Sequence, residues 1–220
     1  MFNAAFWQMF ATGLWETFYM VVLSALFSYI IGLPLGLLLA VTDADGLRPN
    51  AAVNKGFGTV VNLLRSVPFL IMVFLAMGLT RLIVGTTVGS PAMIPPLIIA
   101  AFPFVARLVE ASVREVDRGV IEAAESMGAS PLQIVTRVIL PEATPSLITG
   151  ATTATVTILG YSAMAGIVGG GGLGAIAINY GYYRKESLTM WVAVVLIVIL
   201  VQILQSAGNR IAARSDRRIR

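Results

Sequence analysis

Gly169, Gly171 and Gly174 stand at the spacing of a dinucleotide-binding fingerprint, in which backbone N–H groups cradle a pyrophosphate. Their context removes that reading, because the stretch follows a long apolar run and not a strand of a βαβ unit. The unbroken glycines Gly169, Gly170, Gly171 and Gly172 permit tight turns and close backbone approach. They suit a re-entrant outer loop or a surface on which another protein docks. No Gly-x-x-x-x-Gly-Lys-Ser/Thr phosphate loop occurs. Neither cysteine nor histidine is present, which removes thiolate nucleophiles, the usual zinc ligands and an imidazole base. An enzyme would need a buried carboxylate pair, or a nucleophile beside a base. The clear ionisable group deep in an apolar run is Arg65, with Glu16 near the outer end of another.

What remains is a pattern of small polar groups. Thr149, Thr153 and Thr157, then Gly160 or Tyr161, then Met164, fall at successive helical turns. Hydroxyls on such a face can meet a polar solute or close a helix contact. They can equally bond their own preceding turn, and Gly150, Ala154 and Gly160 suit tight packing. Arg65, Ser66 and Pro68 form a second group. Pro68 frees a backbone carbonyl, tolerated at membrane depth only where protein or a cavity satisfies it; Arg65 faces the interior or snorkels to the surface. Ser66, Pro68, Thr157, Tyr161 and Met164 are the candidates for a solute path.

The elements that carry these residues are apolar helices. Of the 220 residues, 57% are hydrophobic and 12% charged, half the ~25% charge of soluble domains. Five runs are long enough to cross a ~30 Å hydrocarbon core, at about 14–41, 57–79, 92–109, 146–168 and 188–207. The fold class is all-α, a single polytopic membrane domain over residues 1–220. Pro34 is expected to bend the first span and Pro103 to interrupt the third. The first dozen residues lack Lys and Arg, so no signal peptide is expected and the first run stays as a span. Phe2, Phe6, Met9 and Phe10 repeat at helical spacing beside Trp7; a short amphipathic helix on the outer interface would explain them, and simple anchoring explains them as well.

Lysine and arginine choose the orientation. Arg48, Lys55, Arg107, Arg114, Arg118, Arg137, Arg210, Arg214, Arg217, Arg218 and Arg220 fall on one side, and Arg81, Arg184 and Lys185 on the other. This distribution puts the N-terminus outside and the C-terminus in the cytoplasm. The basic net charge, +4, is then a topology signal against anionic lipid headgroups and not a nucleic-acid surface.

The loop of 110–145 should be folded. From Glu110 to Met127, Val113, Val116, Val120, Ala123, Ala124 and Met127 fall three or four apart, one stripe of an amphipathic helix. Gly128 sits where a left-handed terminator belongs. Ser130, Pro131 and Gln133 read as N-cap, first-turn proline and capping-box partner of a second helix; Pro141 and Pro145 should end that helix and begin the fourth span. The small side chains of Ala123, Ala124 and Gly128 would let a partner come close, or would pack the hairpin against the spans; spacing leaves both open.

Glu122-Ala123-Ala124, three residues, Gly128, nine residues and Val138-Ile139-Leu140-Pro141 resemble the EAA loop of ABC-importer permeases, departing in valine where isoleucine is usual. The flanks, Glu115 to Ile121, Gly160 to Gly166 and Gly169 to Gly174, are similar to permeases of the methionine uptake family, and the likeness covers essentially the whole chain. The resemblance implies a coupling helix seated in a cleft of a separate ATP-hydrolysing subunit. That surface comprises Glu122, Ala123, Ala124, Ser126, Met127, Gly128, Ala129, Ser130 and Pro131. It implies no cofactor in this chain, ATP and Mg being bound by the partner ATPase. It also implies two ATPase copies and a periplasmic or lipid-anchored methionine-binding protein, docked near Gly169–Gly172. Five helices enclose little alone, so a homodimer should form the path. The function expected is import of D- and L-methionine across the bacterial inner membrane by alternating access. Another amino acid or small organic solute as cargo, or a passive channel, are the alternatives.

Overall fold

The computed structural model describes residues 4–216. Helices α1 (Ala4–Thr42), α2 (Ala51–Ser66), α3 (Phe69–Val84) and α4 (Ser90–Arg114) come first. They are followed by α5 (Arg118–Ser126), α6 (Pro131–Ile134), α7 (Leu140–Ala165), α8 (Gly172–Ile176) and α9 (Ser187–Ser215). No strand occurs among the described residues. Four apolar helical runs are long enough to cross a membrane, or five where the bent pair α2–α3 counts as one broken span.

The span boundaries follow packing more than hydropathy. Helix α1 begins ten residues before the expected start and runs unbroken across Pro34. The aromatic residues Phe6, Trp7 and Phe10 thus belong to the first turns of α1 and not to a separate short helix. Phe6, Met9 and Phe10 pack on Leu173, Ile176, Ala177 and Ala193, so burial against protein prolongs the helix; Phe2 lies outside the described residues. Helix α1 lies along α4 because Gly32 and Gly36 let the backbones approach. A Cβ at Gly32 would stand 2.7 Å from Val105 Cγ1, and one at Gly36 would meet the Ala106 carbonyl.

The second span is not one helix. Helices α2 and α3 meet at 108°. Proline disfavours a helical conformation in the residue before it, and Val67 is extended, its N–H reaching back to the Leu64 carbonyl at 3.3 Å. In the fourth span Pro141 stands in the first turn of α7, as a span start requires, but neither it nor Pro145 separates that helix from the turns before it. Residues 131–168 form one helical run, because a π-turn at Val135–Ile139 widens the helix just before Pro141. The Leu140 N–H there bonds to the Val135 carbonyl, and the wider turn takes up the bonds a proline cannot make.

Odd crossings run from an end closed by the glycine run to an end crossed by ion pairs of Asp43 and Asp45 with Arg114 and Arg118. We call these the glycine end and the arginine end.

Candidate functional site

At the arginine end, the chain leaves α4 and forms a compact knob. The expected single helix from Glu110 to Met127 is corrected: α4 continues to Arg114, the chain breaks at 115–117, and α5 starts afresh. The cause is local. Asp117 accepts the Gly119 N–H at 2.7 Å and caps a new helix, while Val109 and Val113 continue the buried face of α4. The apolar stripe therefore divides, with Val113, Val116 and Ala124 buried and Val120, Ala123 and Met127 exposed.

The turn after α5 is tightly specified. Gly128 has φ +78°, its N–H bonds to the Glu125 carbonyl at 2.9 Å, and the Ala129 N–H reaches the Ala124 carbonyl at 3.1 Å. Ser130 and Gln133 form the reciprocal capping box. The knob is held from below by Ala124, Ile134 and Ile139, which pack with Val113 and Val116. Its outer face carries Glu122, Ala123, Ser126, Met127, Gly128 and Ser130, all exposed; Met127 is 82% and the neighbouring Leu132 72% exposed.

Below the knob lies a charged cluster that the sequence reading passed over. Glu110 is 4% exposed. It receives Arg107 at 2.6 Å and Arg114 at 2.7 Å, and Arg114 also reaches Asp43 at 2.8 Å. Arg107 donates onward to the Gly58 carbonyl at 3.1 Å and to Asn62 Oδ1 at 2.9 Å on α2. A Glu flanked at i−3 and i+4 by Arg was the available signal. It read as ordinary charge at a span end.

Two path candidates meet through an aromatic pair. Tyr161 of α7 stacks on Phe69 of α3, centroids 4.9 Å apart and planes 4° from parallel. Phe69 directly follows Pro68, and the Ser66 hydroxyl bonds to the Asn62 carbonyl at 2.8 Å. Met164 is 47% exposed. The hydroxyls of Thr149, Thr153 and Thr157 each bond to the carbonyl four residues earlier, so the stripe presents oxygen lone pairs and methyl groups rather than free donors. Thr149 also lines a cavity of 480 Å³ at the arginine end, with Ser112, Glu115, Glu142 and Ser146.

At the glycine end the run is largely turned inward. A Cβ at Gly171 would collide with Ser90 Oγ and Glu16, and one at Gly172 would stand 2.6 Å from Thr17 Oγ1. Glu16 accepts the Gly172 N–H at 2.7 Å and Thr17 Oγ1 accepts that of Leu173 at 2.9 Å. Gly169 alone of the four is exposed. Among the described residues no group of His, Cys, Asp or Glu could hold a metal ion.

A helical bundle with four or five candidate crossings and a compact knob at one end is the architecture of a multi-pass membrane protein. The family of binding-protein-dependent transport system inner membrane components matches residues 32–220, and the chain belongs to it. It is thus a multi-pass inner-membrane transport subunit and not an enzyme. The chain is 49% identical over 207 residues, 94% of its length and 92% of the relative's, to "Probable D-methionine transport system permease protein MetI" of Vibrio cholerae. It is 45% identical over 222 residues, 99% of this chain and 100% of the relative, to methionine import system permease protein MetP of Bacillus subtilis. A solved structure of the MetNI methionine ABC transporter in inward-facing conformations superposes with TM-score 0.96 at 44% identity, covering 98% of this chain and 100% of that one.

Proposed function

We propose that this chain is the permease subunit of an ATP-binding-cassette importer that carries D- and L-methionine across the bacterial inner membrane by alternating access. It acts as a homodimer whose two knobs each seat on an ATPase subunit, and a methionine-binding protein, periplasmic or lipid-anchored, delivers solute at the glycine end. The ATPase subunits bind ATP and Mg. The N-terminus lies outside and the C-terminus in the cytoplasm, the orientation that charge asymmetry favours. Residues 1–220 form one domain.

The carrying observation is the capped helix pair at 118–134 with Met127 and Leu132 bare at its tip. The cargo rests on the full-length likeness to methionine permeases. A zwitterion with an apolar tail needs few polar contacts and a soft wall, which Tyr161 and Met164 supply. The coupling surface runs from Glu122 through Ala123, Ala124, Ser126, Met127, Gly128 and Ala129 to Ser130 and Pro131. Ser66, Pro68, Thr157, Tyr161 and Met164 border the path.

Proteoliposomes holding the permease, its ATPase and its binding protein test this reading. Labelled methionine should accumulate only with ATP, and unlabelled methionine should compete better than other amino acids. Uptake without ATP would mark a passive channel; preferential competition by another solute would change the cargo. Because the chain has no cysteine, orientation is read from single variants. Lys185→Cys should react with an impermeant maleimide in intact spheroplasts and Arg210→Cys only after permeabilisation. The reverse pattern overturns the orientation.

A further inference from the structure

A nearly buried carboxylate needs a reason, and Glu110 has no part in the knob's outer face or in the path. Burial of an ion is costly unless its partners hold it fully. Glu110 meets that condition from both sides: Oε2 takes Arg107 and Oε1 takes Arg114. The two arginines then leave the helix in different directions. Arg114, in the last turn of α4 before the knob, reaches Asp43 at the end of α1. Arg107 crosses to α2, where it grips the Gly58 carbonyl and the Asn62 side chain one turn apart.

The contacts continue along α2. The Asn62 carbonyl accepts the Ser66 hydroxyl. Ser66 ends α2, Val67 is extended, and Phe69 begins α3 stacked on Tyr161. A chain of short contacts thus runs from the root of the knob to the break in the second span and onto the path candidate of α7. The break is the joint in this chain, two helices at 108° joined by two residues. Arg107 holds Glu110 and two acceptors of α2 on one planar guanidinium, so a shift of Glu110 relative to α2 strains these bonds.

We propose that Glu110 is a positioning residue for transport, locking Arg107 and Arg114 so that movement of the knob is passed through α2 to the Val67–Pro68 joint and the Phe69–Tyr161 stack. This rests on the knob's reading as the ATPase contact. Without the carboxylate the knob still folds, since its caps and its core of Ala124, Ile134 and Ile139 lie elsewhere. ATP is then hydrolysed without proportionate transport.

The test uses the assembled importer in proteoliposomes, reading solute moved per ATP hydrolysed for wild type and variants side by side. Glu110→Gln keeps the volume and removes the charge. It should co-purify with the ATPase as wild type does, keep its hydrolysis rate, and lower the transport-to-hydrolysis ratio about fivefold or more, the low end of coupling between linked sites. Glu110→Asp, which two long arginines can follow, should recover most of the ratio. An unchanged ratio in Glu110→Gln overturns the proposal, as does a loss of ATPase binding, which would make the residue part of the contact itself. If Glu110→Gln does not fold, Asp43→Asn and Asn62→Ala carry the test at the two more exposed ends of the chain. Each should lower the ratio, and the double variant should fall short of the product of the two effects, because both break one route. Independent or absent effects overturn the proposal. A wild-type assembly in which ATP drives no uptake sinks the underlying functional reading instead, and is recognised before any variant is compared.

Discussion

Replacing Gly128 separates two roles that coincide at one residue. Its φ of +78° is left-handed, where a side chain with a Cβ costs about 1–2 kcal/mol and asparagine is tolerated better. Beyond residues 127–129, no atom lies within 4 Å of a Cβ built there, so side-chain size adds little to the cost within the free chain. Gly128→Ala should therefore loosen the α5–α6 turn by about a factor of 5–30 in its local equilibrium, Gly128→Asn by less, and Gly128→Trp by no more than alanine. Hydrogen exchange at the Gly128 and Ala129 amides, which bond to the Glu125 and Ala124 carbonyls, reads that series in the isolated permease. With the ATPase present the order changes. If the partner's surface approaches this open face, Gly128→Asn should already weaken uptake and Gly128→Trp should abolish it, while the isolated permease stays folded. Should Gly128→Trp form the complex and take up solute as wild type does, the space beside Gly128 is empty in the assembly and the close-approach argument fails.

Other substitutions probe the path and the glycine end. Tyr161→Ala loses the stack on Phe69, a pair worth about 0.5–1.5 kcal/mol beyond its burial, and should slow uptake. Tyr161→Phe keeps the ring and should slow it only if the hydroxyl meets solute; wild-type rates in Tyr161→Ala and in Met164→Ala would remove both residues from the path. Glu16→Gln keeps an oxygen to accept the Gly172 N–H and should leave thermal stability near wild type. Glu16→Ala leaves that donor without its acceptor, at about 1–3 kcal/mol, and an unaltered melting temperature would contradict the anchoring role. Gly36→Leu drives a side chain into the Ala106 carbonyl and Val109. It should reduce monodisperse protein in detergent, and normal elution would mean that α1 and α4 can separate freely.

The helical class, the number of crossings and the knob were legible because each has a local cause. Apolar runs set the spans, and Gly128 with the Ser130–Gln133 box set the turn between α5 and α6. Features decided by distant partners were not legible. Hydropathy cannot distinguish a straight span from the α2–α3 pair, since Val67 and Pro68 are themselves apolar. Pro141 looked like a terminator because a π-turn is a property of backbone hydrogen bonding, with little trace in residue type. Helix α4 outlasted its predicted end because Glu110 is neutralised by Arg107 and Arg114, so a charge that reads as the membrane boundary is buried. The glycine run signals close backbone approach by residue type alone. Which atoms approach, Glu16 and Ser90 from two other crossings, was beyond any local pattern.

Coupled transport requires that the knob be gripped by a separate ATPase. A single cysteine in this cysteine-free chain, Met127→Cys, reports that contact directly through its maleimide reactivity, measured with the permease alone and in the assembled complex. Met127 is 82% exposed in the chain, so the cysteine should react readily alone and become protected when the ATPase is bound. Equal reactivity in both, with the ATPase demonstrably present, would contradict the account.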